Sequence, residues 1–466
     1  MLKDLRTLFE PKSIAIIGAS SKPGKPGHEV IRNILANGYE GQLHLVNPKG
    51  GTILGMNAYS SIGELPEGVD VAVIILPAQD TATAIRACVD HGIKSYVLAA
   101  GGFSEVDEKG EALQDEIVSI IESTGIRVLG PNTSGHTSTP AKFTSSFFPL
   151  GELPKGSVSY IAQTGNFATH TMRHIMTHEN FGVCRVVGLG NKLDVDEADA
   201  LAYLADDDET SAIVMYLESV KNPQKFMAVA DGATRKKPVI MLKSGRSEKG
   251  SKAAVAHTAA MASNDKIVDG MLKQVGVTRI YRYSHLITAG KVLSHMPLPK
   301  GNRVSFLAPS GAMLVSLTDV CENDLGLEVP EIEESSRQKL QDMSPDYIRM
   351  RNPVDIWPAA SVQGIERAYG RAMEIVLEDP NIDAVVPILM LLEGMEIPSM
   401  QFIVDIARKY PEKPVYVSFT GDKKPEEEAK AFLEANGVPT FPMIEDPFEA
   451  LEIMARCRKA MTRSDT

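Results

Sequence analysis

The chain has 466 residues, 43% hydrophobic and 23% charged, an ordinary globular composition with length for three domains at about 100–200 residues each. Its 48 Lys and Arg against 60 Asp and Glu give a net charge of −12, which argues against a broad nucleic-acid footprint but leaves room for a local anion pocket. No apolar run approaches the roughly 18 residues of a membrane span, and the start, MLKDLRTLFEPKSIAIIGAS, fits neither a secretory signal nor an Arg-rich presequence, so a cytoplasmic protein is expected.

Short β-rich runs alternate with amphipathic, helix-length stretches along the whole chain, the pattern of an α/β fold with helices covering parallel sheets. In the first third, SIAIIGA, QLHLVNP, DVAVIILP, SYVLAAGG and IRVLGPN predict the strands of a doubly wound, Rossmann-like domain over residues 1–140. The first strand runs into a loop from Gly18 through Gly24 to Gly27 and then a helix, so backbone N–H groups and a helix N-terminus can face a phosphate. The spacing is not GxGxxG. The second strand ends in Asn47-Pro48-Lys49, where an NAD enzyme usually carries an acid for the ribose hydroxyls. A lysine there suits a phosphorylated ribose and favours CoA or NADP over NAD. The plain alternative is a glycine turn that only permits tight packing.

Beyond this domain the chain repeats itself. SVSYIAQTGNFA, from Ser157, is echoed by RVSFLAPSGAML, from Arg303, and KPVIMLKSG, from Lys237, by KPVYVSFTG, from Lys413. Each reads as a buried strand entering a small-residue turn, which predicts two flavodoxin-like domains, 141–298 and 299–466, divided at the Pro-Gly-rich MPLPKGN. In the first of them, Gln163-Thr164-Gly165-Asn166 between a strand and a helix is a second candidate anion site; a capped helix is the bland reading. After VIMLKSG come GRSEKGSKAAVAHTAAMASND and His257, whose neighbours are almost all small. An imidazole nitrogen presented there can attack a phosphoryl group while a carboxylate holds the other nitrogen, and Glu218, at the end of IVMYLES, is the best acid for that task. Without further context, a lone His in an Ala-rich helix is more often structural.

The ordered segments LFEPKSIAIIGASSKPGKPG, AAGGFSE, RVLGPN, GLGNKLDVDEADAL, GRSEKGSKAAVAHT and RNPVDIW resemble successive signatures of the α subunits of NDP-forming (ADP-forming) acyl-CoA synthetases, in the succinyl-CoA synthetase superfamily. The resemblance covers nearly the whole chain. It implies a CoA-binding Rossmann domain and two flavodoxin-like ligase domains, with His257 phosphorylated, Glu218 as its carboxylate partner, and the amides of Gln163, Thr164 and Gly165 cradling phosphate. Gly18, Ser20, Lys25, Asn47, Lys49, Pro77, Gly102 and Phe103 would line CoA, and Asn132, Thr133 and Asn166 the substrate pocket. The implied activity is that of an acid–CoA ligase of the acetate–CoA ligase type, working reversibly through an acyl phosphate. No Walker A loop or stretch resembling the family's ATP-grasp module is found, so a separate β subunit is expected to bring ADP or ATP with Mg2+, in an α2β2 assembly, and the His257 loop to swing between the two sites.

The chain departs from the family pattern where the acid would bind. Members often read Ser-Gln-Ser-Gly-Ala-Leu in place of Ala162 to Phe167, often Pro-Asn-Cys-Leu-Gly in place of Pro131 to Gly135, and usually glycine at Ala259. Phe167 and TSSFFPL are candidates to line a pocket for a longer or aromatic acid, or are core. A succinyl-CoA synthetase α subunit looks shorter; a non-catalytic CoA-binding regulator would not need His257 and Glu218; an NADP oxidoreductase is the remaining alternative. His170, His174 and His178 recur at helical spacing, but at 1.5 Å rise per residue the outer pair lie about 12 Å apart, so no metal is expected. Asp206 to Glu209 read as a solvated loop, and Cys88, Cys184, Cys321 and Cys457, without a CxxC pair, as buried small hydrophobes.

Overall fold

The structure is a computed structural model that describes residues 4–252 and 264–463. Two compact units form, Met1–Leu286 and Ile287–Thr466. The first contains two sheets. One is built from β1 (Ser13–Ile17), β2 (Gln42–Val46), β3 (Thr52–Ile53), β4 (Met56–Tyr59), β5 (Val71–Ile74), β6 (Ser95–Leu98) and β7 (Arg127–Leu129), in the order β3-β4-β2-β1-β5-β6-β7. All neighbours are parallel except β3 and β4, whose short hairpin has no apolar run to announce it in the sequence. Because the chain leaves β1 for β2 and then returns to its other side at β5, a crevice opens beyond the strand C-termini at that reversal, the place where such sheets take ligands.

The second sheet consists of β8 (His136–Ser138), β9 (Phe143–Thr144), β10 (Lys155–Ala162), β11 (Val183–Gly188), β12 (Ala212–Leu217), β13 (Val239–Lys243) and β14 (Thr278–Ile280), in the order β14-β13-β12-β10-β11-β8-β9. Its five long-range strands from β10 to β14 are parallel, and β8 and β9 add an antiparallel edge. The β8–β9 hairpin straddles residue 140, so the second sheet begins before that point in the chain. Ile16, Val73 and Val97 of the first sheet and Ile161, Val187 and Met215 of the second belong to one continuous buried core. This shared core is the physical reason that both sheets fall in one unit, Met1–Leu286, since apolar surface once joined is not separated without exposing it to water.

The second unit has one parallel sheet, β15 (Val304–Ala308), β16 (Val354–Asp355), β17 (Ala384–Leu391), β18 (Val417–Gly421) and β19 (Thr440–Phe441), ordered β16-β15-β17-β18-β19. The internal repeat is realised: β10 and β15 each enter a glycine turn and a helix. The two helices are irregular at opposite ends. After β10 a π-helical turn, Phe167–Thr171, precedes the α-helix Met172–His178, whereas after β15 the α-helix Gly311–Asp319 precedes the π-helical stretch Val320–Leu325.

All four cysteines are buried and none forms a disulfide, and burial pushes the Cys88 and Cys321 thiols up to about 12. The acidic run departs from its reading as a solvated loop. Asp206 ends a helix and Asp208 and Glu209 are exposed, but Asp207 accepts from the fully buried Arg185, Nε to Oδ2 at 2.8 Å and Nη2 to Oδ1 at 2.9 Å. Glu10 accepts from the same guanidinium at 2.7 Å. A buried guanidinium is stable only when paired, and that need draws Asp207 inward.

Candidate active site

The expected CoA residues all follow C-terminal strand ends of the first sheet: Gly18 and Ser20 after β1, Asn47 and Lys49 after β2, Pro77 after β5, Gly102 and Phe103 after β6. Gly18 has φ +94, and a methyl group there would sit 2.4 Å from the Ile75 carbonyl oxygen, so only glycine lets β1 turn at this point. A methyl group on Gly27, in the first turn of the helix Pro26–Ala36, would sit 2.1 Å from the Gly18 carbonyl oxygen, and Ser20 N–H donates to the Gly27 carbonyl at 3.3 Å. Asn47 Nδ2 donates to the Ala19 carbonyl at 2.7 Å and its Oδ1 accepts from Lys49 N–H at 2.8 Å, which ties the two loops together. Lys25 and Lys49 are exposed, and Gly24 has open space where a side chain would sit, so the loop offers two exposed cations and an unobstructed edge. Glu29, unremarked in the sequence, closes the loop from within. It accepts from Gly24 N–H at 2.9 Å, and although burial opposes ionisation, that bond and Arg32 hold its carboxyl below the usual range.

Phe103 departs from its expected place against CoA. Its ring is wholly buried in the core of the first sheet, and its N–H is taken by Glu105 Oε1 at 3.2 Å, as is that of Gly102 at 2.7 Å. Apolar packing outweighs ligand contact for a ring with space behind it.

A cavity of about 360 Å³ opens where the loops after β6, β7, β9, β10 and β11 meet. It brings together residues expected to bind phosphate, Gln163, Thr164 and Gly165, and residues expected to meet the acid, Asn132, Thr133 and Asn166, with Ala99 at the end of the CoA-side strand β6. Asn132 is held in the left-handed region at φ +56, its N–H on the Ala100 carbonyl at 2.8 Å. The Thr133 hydroxyl donates to the Gly188 carbonyl at 2.5 Å and accepts from Gly135 N–H at 3.0 Å, so Thr133 shapes the wall while its polar groups are engaged. Asn166 Nδ2 donates to the Tyr283 hydroxyl at 3.2 Å. Phe147 and Phe148 of TSSFFPL line the cavity with ring centroids 4.6 Å apart; Phe167 does not, being buried against Tyr160 at 4.8 Å.

Gln163 also behaves differently from its expected part in an amide cradle. Its N–H continues the sheet to the Tyr216 carbonyl at 2.9 Å, which leaves the turn at Thr164 and Gly165 to face an anion. Its carboxamide oxygen accepts instead from the N–H groups of Glu218 and Ser219, both at 3.0 Å, and from Lys192 Nζ at 3.1 Å. Glu218, just past β12, is 8% exposed, and the Tyr216 hydroxyl donates to its Oε1 at 3.4 Å. Burial pushes the Tyr216 hydroxyl up, so it remains a proton donor at neutral pH. Lys243, the last residue of β13, is 3% exposed and donates to the Ser244 carbonyl at 2.7 Å; burial, then repulsion from Arg279, lowers its affinity for a proton. Residues 248–252 are helical and lead towards His257, which with the rest of 253–263 lies outside the described residues.

Three residues that carry this site were not singled out by pattern alone: Glu105, Asn191 and Lys192. Asn191 Nδ2 donates to Glu105 Oε2 at 2.7 Å, joining the β6 loop of the first sheet to the β11 loop of the second. Burial opposes the charge of Glu105, but bonds from Asn191, Gly102 and Phe103 keep its carboxyl below the usual range. All three fall inside the quoted segments AAGGFSE and GLGNKLDVDEADAL, which was the signal available. The histidine stripe is split between a π-helical turn holding His170 and the α-helix holding His174 and His178, whose rings stack at 4.5 Å.

Comparison with known proteins places these features. Residues 12–138 match the family model of a CoA binding domain and residues 155–293 that of a succinyl-CoA ligase like flavodoxin domain. The chain is 35% identical over 463 residues to acetate–CoA ligase [ADP-forming] I subunit alpha of Pyrococcus furiosus, covering 98% of each chain. It is also 35% identical over 466 residues to acetate–CoA ligase [ADP-forming] II of Archaeoglobus fulgidus, covering 99% of this chain and 68% of that one. Among solved structures, a dinucleotide forming acetyl-coenzyme A synthetase of Ca. Korarchaeum cryptofilum, in complex with phosphate and ADP, superimposes with a TM-score of 0.90 at 31% identity over 98% of both chains. With a CoA binding domain, a succinyl-CoA ligase-like domain and full-length similarity to α subunits, this chain belongs to the ADP-forming acyl-CoA ligase family.

Proposed function

We propose that the chain is the α subunit of an ADP-forming acid–CoA ligase that uses His257 as a covalent phosphate carrier. The observation that carries this reading is the 360 Å³ cavity, in which the Thr164-Gly165 turn meets the loops of the CoA-side sheet, with Glu218 one residue past the neighbouring strand. A phosphate oxygen held there attacks the thioester carbonyl of an acyl-CoA; the C–S bond breaks, and CoA leaves as the thiolate and takes a proton. A ring nitrogen of His257 then attacks phosphorus in the acyl phosphate, the P–O bond to the acyl group breaks, and the carboxylate departs. ADP accepts the phosphoryl group from the phosphohistidine and becomes ATP. Glu218 fixes the second ring nitrogen and stabilises the charged imidazole.

The nucleotide site is supplied by a partner subunit, in an α2β2 assembly in the cytoplasm, and Mg2+ arrives there with ADP. The acid is a small carboxylic acid of the acetate class, and the paired rings of Phe147 and Phe148 favour members longer than acetate. An acid panel assayed for CoA-thioester formation by the two-subunit complex reads this directly. The carrier is tested by incubating that complex with radiolabelled ATP and Mg2+: an acid-labile, alkali-stable label is expected on this chain, lost in His257→Ala and slowed in Glu218→Gln. A wild type without such a label, or His257→Ala labelled as strongly as wild type, sinks the mechanism.

A further inference from the structure

We propose that Lys192 is a positioning residue of the transfer site, an assignment that rests on the ligase reading above and extends it. Lys192 is 4% exposed and sits at φ +58, a conformation that a non-glycine residue holds only where its surroundings impose it. Its ammonium lies 3.1 Å from Gln163 Oε1, 2.9 Å from the Ser219 carbonyl, 3.1 Å from Ser219 Oγ and 3.0 Å from Glu197 Oε2. Three strand ends converge on this one cation: Gln163 follows β10, Lys192 follows β11, and Ser219 follows β12.

The Gln163 carboxamide oxygen is the hinge of the arrangement. It accepts from Lys192 and from the backbone N–H groups of Glu218 and Ser219, so the cation orients the group that in turn fixes the main chain bearing Glu218. The other end of the carboxamide is also set, Nε2 donating to Ser219 Oγ at 3.1 Å. Gln163 lines the cavity and Lys192 stands behind it, so Lys192 acts on the phosphate through Gln163 and Glu218 and not by contact. A plain structural alternative exists. Glu197, also fully buried, needs a cation, and Lys192 could serve only to neutralise it.

The test separates these roles by using the two entrances to the phosphohistidine. In the two-subunit complex, label from inorganic phosphate enters through the cavity when the acyl-CoA preferred in the acid panel is supplied, whereas label from ATP enters at the partner. Lys192→Met is expected to slow labelling from phosphate at least 10-fold and labelling from ATP by a smaller factor, no greater than that of Glu218→Gln. The double variant Lys192→Met, Glu197→Gln, which removes both buried charges, is expected to regain the melting temperature but not the phosphate-dependent rate. Gln163→Leu, which keeps Lys192, is expected to show the same selective loss, and adding Lys192→Met to it to cause little further loss. The role is overturned if Lys192→Met labels from phosphate at the wild-type rate, if both entrances slow by the same factor, or if the double variant recovers the rate. Should Lys192→Met fail to fold, a wild-type rate in Gln163→Leu overturns it equally. A wild-type complex that takes up no label from either source defeats the ligase reading itself, a result distinct from an active wild type with an unaffected variant.

Discussion

At the scale of single residues, the anion loop and one buried histidine give readable effects. Lys25 and Lys49 are exposed beside the Gly18 turn, and a charge-assisted contact from each to a CoA phosphate is worth about 1.5–3 kcal/mol, or roughly tenfold or more in affinity. The double substitution Lys25→Ala, Lys49→Ala should therefore weaken CoA binding at least tenfold in a calorimetric titration; unchanged affinity would remove this loop from the CoA site. His136 is wholly buried: Nε2–H donates to the Leu8 carbonyl at 2.7 Å, and Nδ1 accepts from the Ser145 hydroxyl at 2.8 Å. Burial pulls its pKa from 6.5 to about 4. Because the folded value lies below the unfolded one, the unfolded chain takes the proton first, so stability is full above pH 6.5 and falls as the pH drops towards 4. The loss reaches about 3 kcal/mol. Thermal unfolding at pH 7 and pH 4.5 should show a steeper fall for wild type than for His136→Gln, and equal falls would contradict the assignment.

At the scale of elements, the site depends on strand ends that turn sharply. Gly18 joins β1 to the anion loop with φ +94 and its hydrogens against the Ile75 carbonyl. Gly18→Ala adds both a left-handed backbone penalty, about 1–3 kcal/mol, and a clash with main chain that has no rotamer to escape through. The expected outcome is displacement of the loop after β1, with CoA affinity reduced by more than tenfold and a melting temperature lowered by several degrees. Wild-type affinity together with a wild-type melting temperature would show that the turn is not constrained as described. Across the second sheet, Gln163, Lys192, Glu218 and Ser219 illustrate the same principle, because reversal of chain direction beside β10 leaves the ends of β10, β11 and β12 facing one another over a common space.

At the scale of the molecule, the two sheets of the first unit share a core and enclose the cavity between their loops, so the proposed acyl and phosphoryl steps fall within Met1–Leu286. Transfer to ADP is proposed to need the partner. The purified chain should make no ATP from ADP and an acyl phosphate until its partner subunit is added, as a coupled luminescence assay would measure. Sustained ATP formation by this chain alone would place a nucleotide site within it and refute the two-subunit reading.

The sequence by itself determined the strands that bear the site, because their central residues, 14–17 in β1 and 239–242 in β13, are buried on both faces and must be apolar. It also determined the glycine turn after β1, where Gly18 at φ +94 restricts the residues that fit. Tertiary structure decided which neighbours that turn would have. The sequence could not show that Phe103 and Phe167 face inward while Phe147 and Phe148 face the cavity, since all four are equally apolar and only packing assigns a side. Nor could it show that Asp207 neutralises Arg185, or that Lys192 reaches Gln163, 29 positions away along the chain. Buried charges find their partners through the meeting of strand ends that are distant in sequence, and that meeting exists only once the sheets have formed.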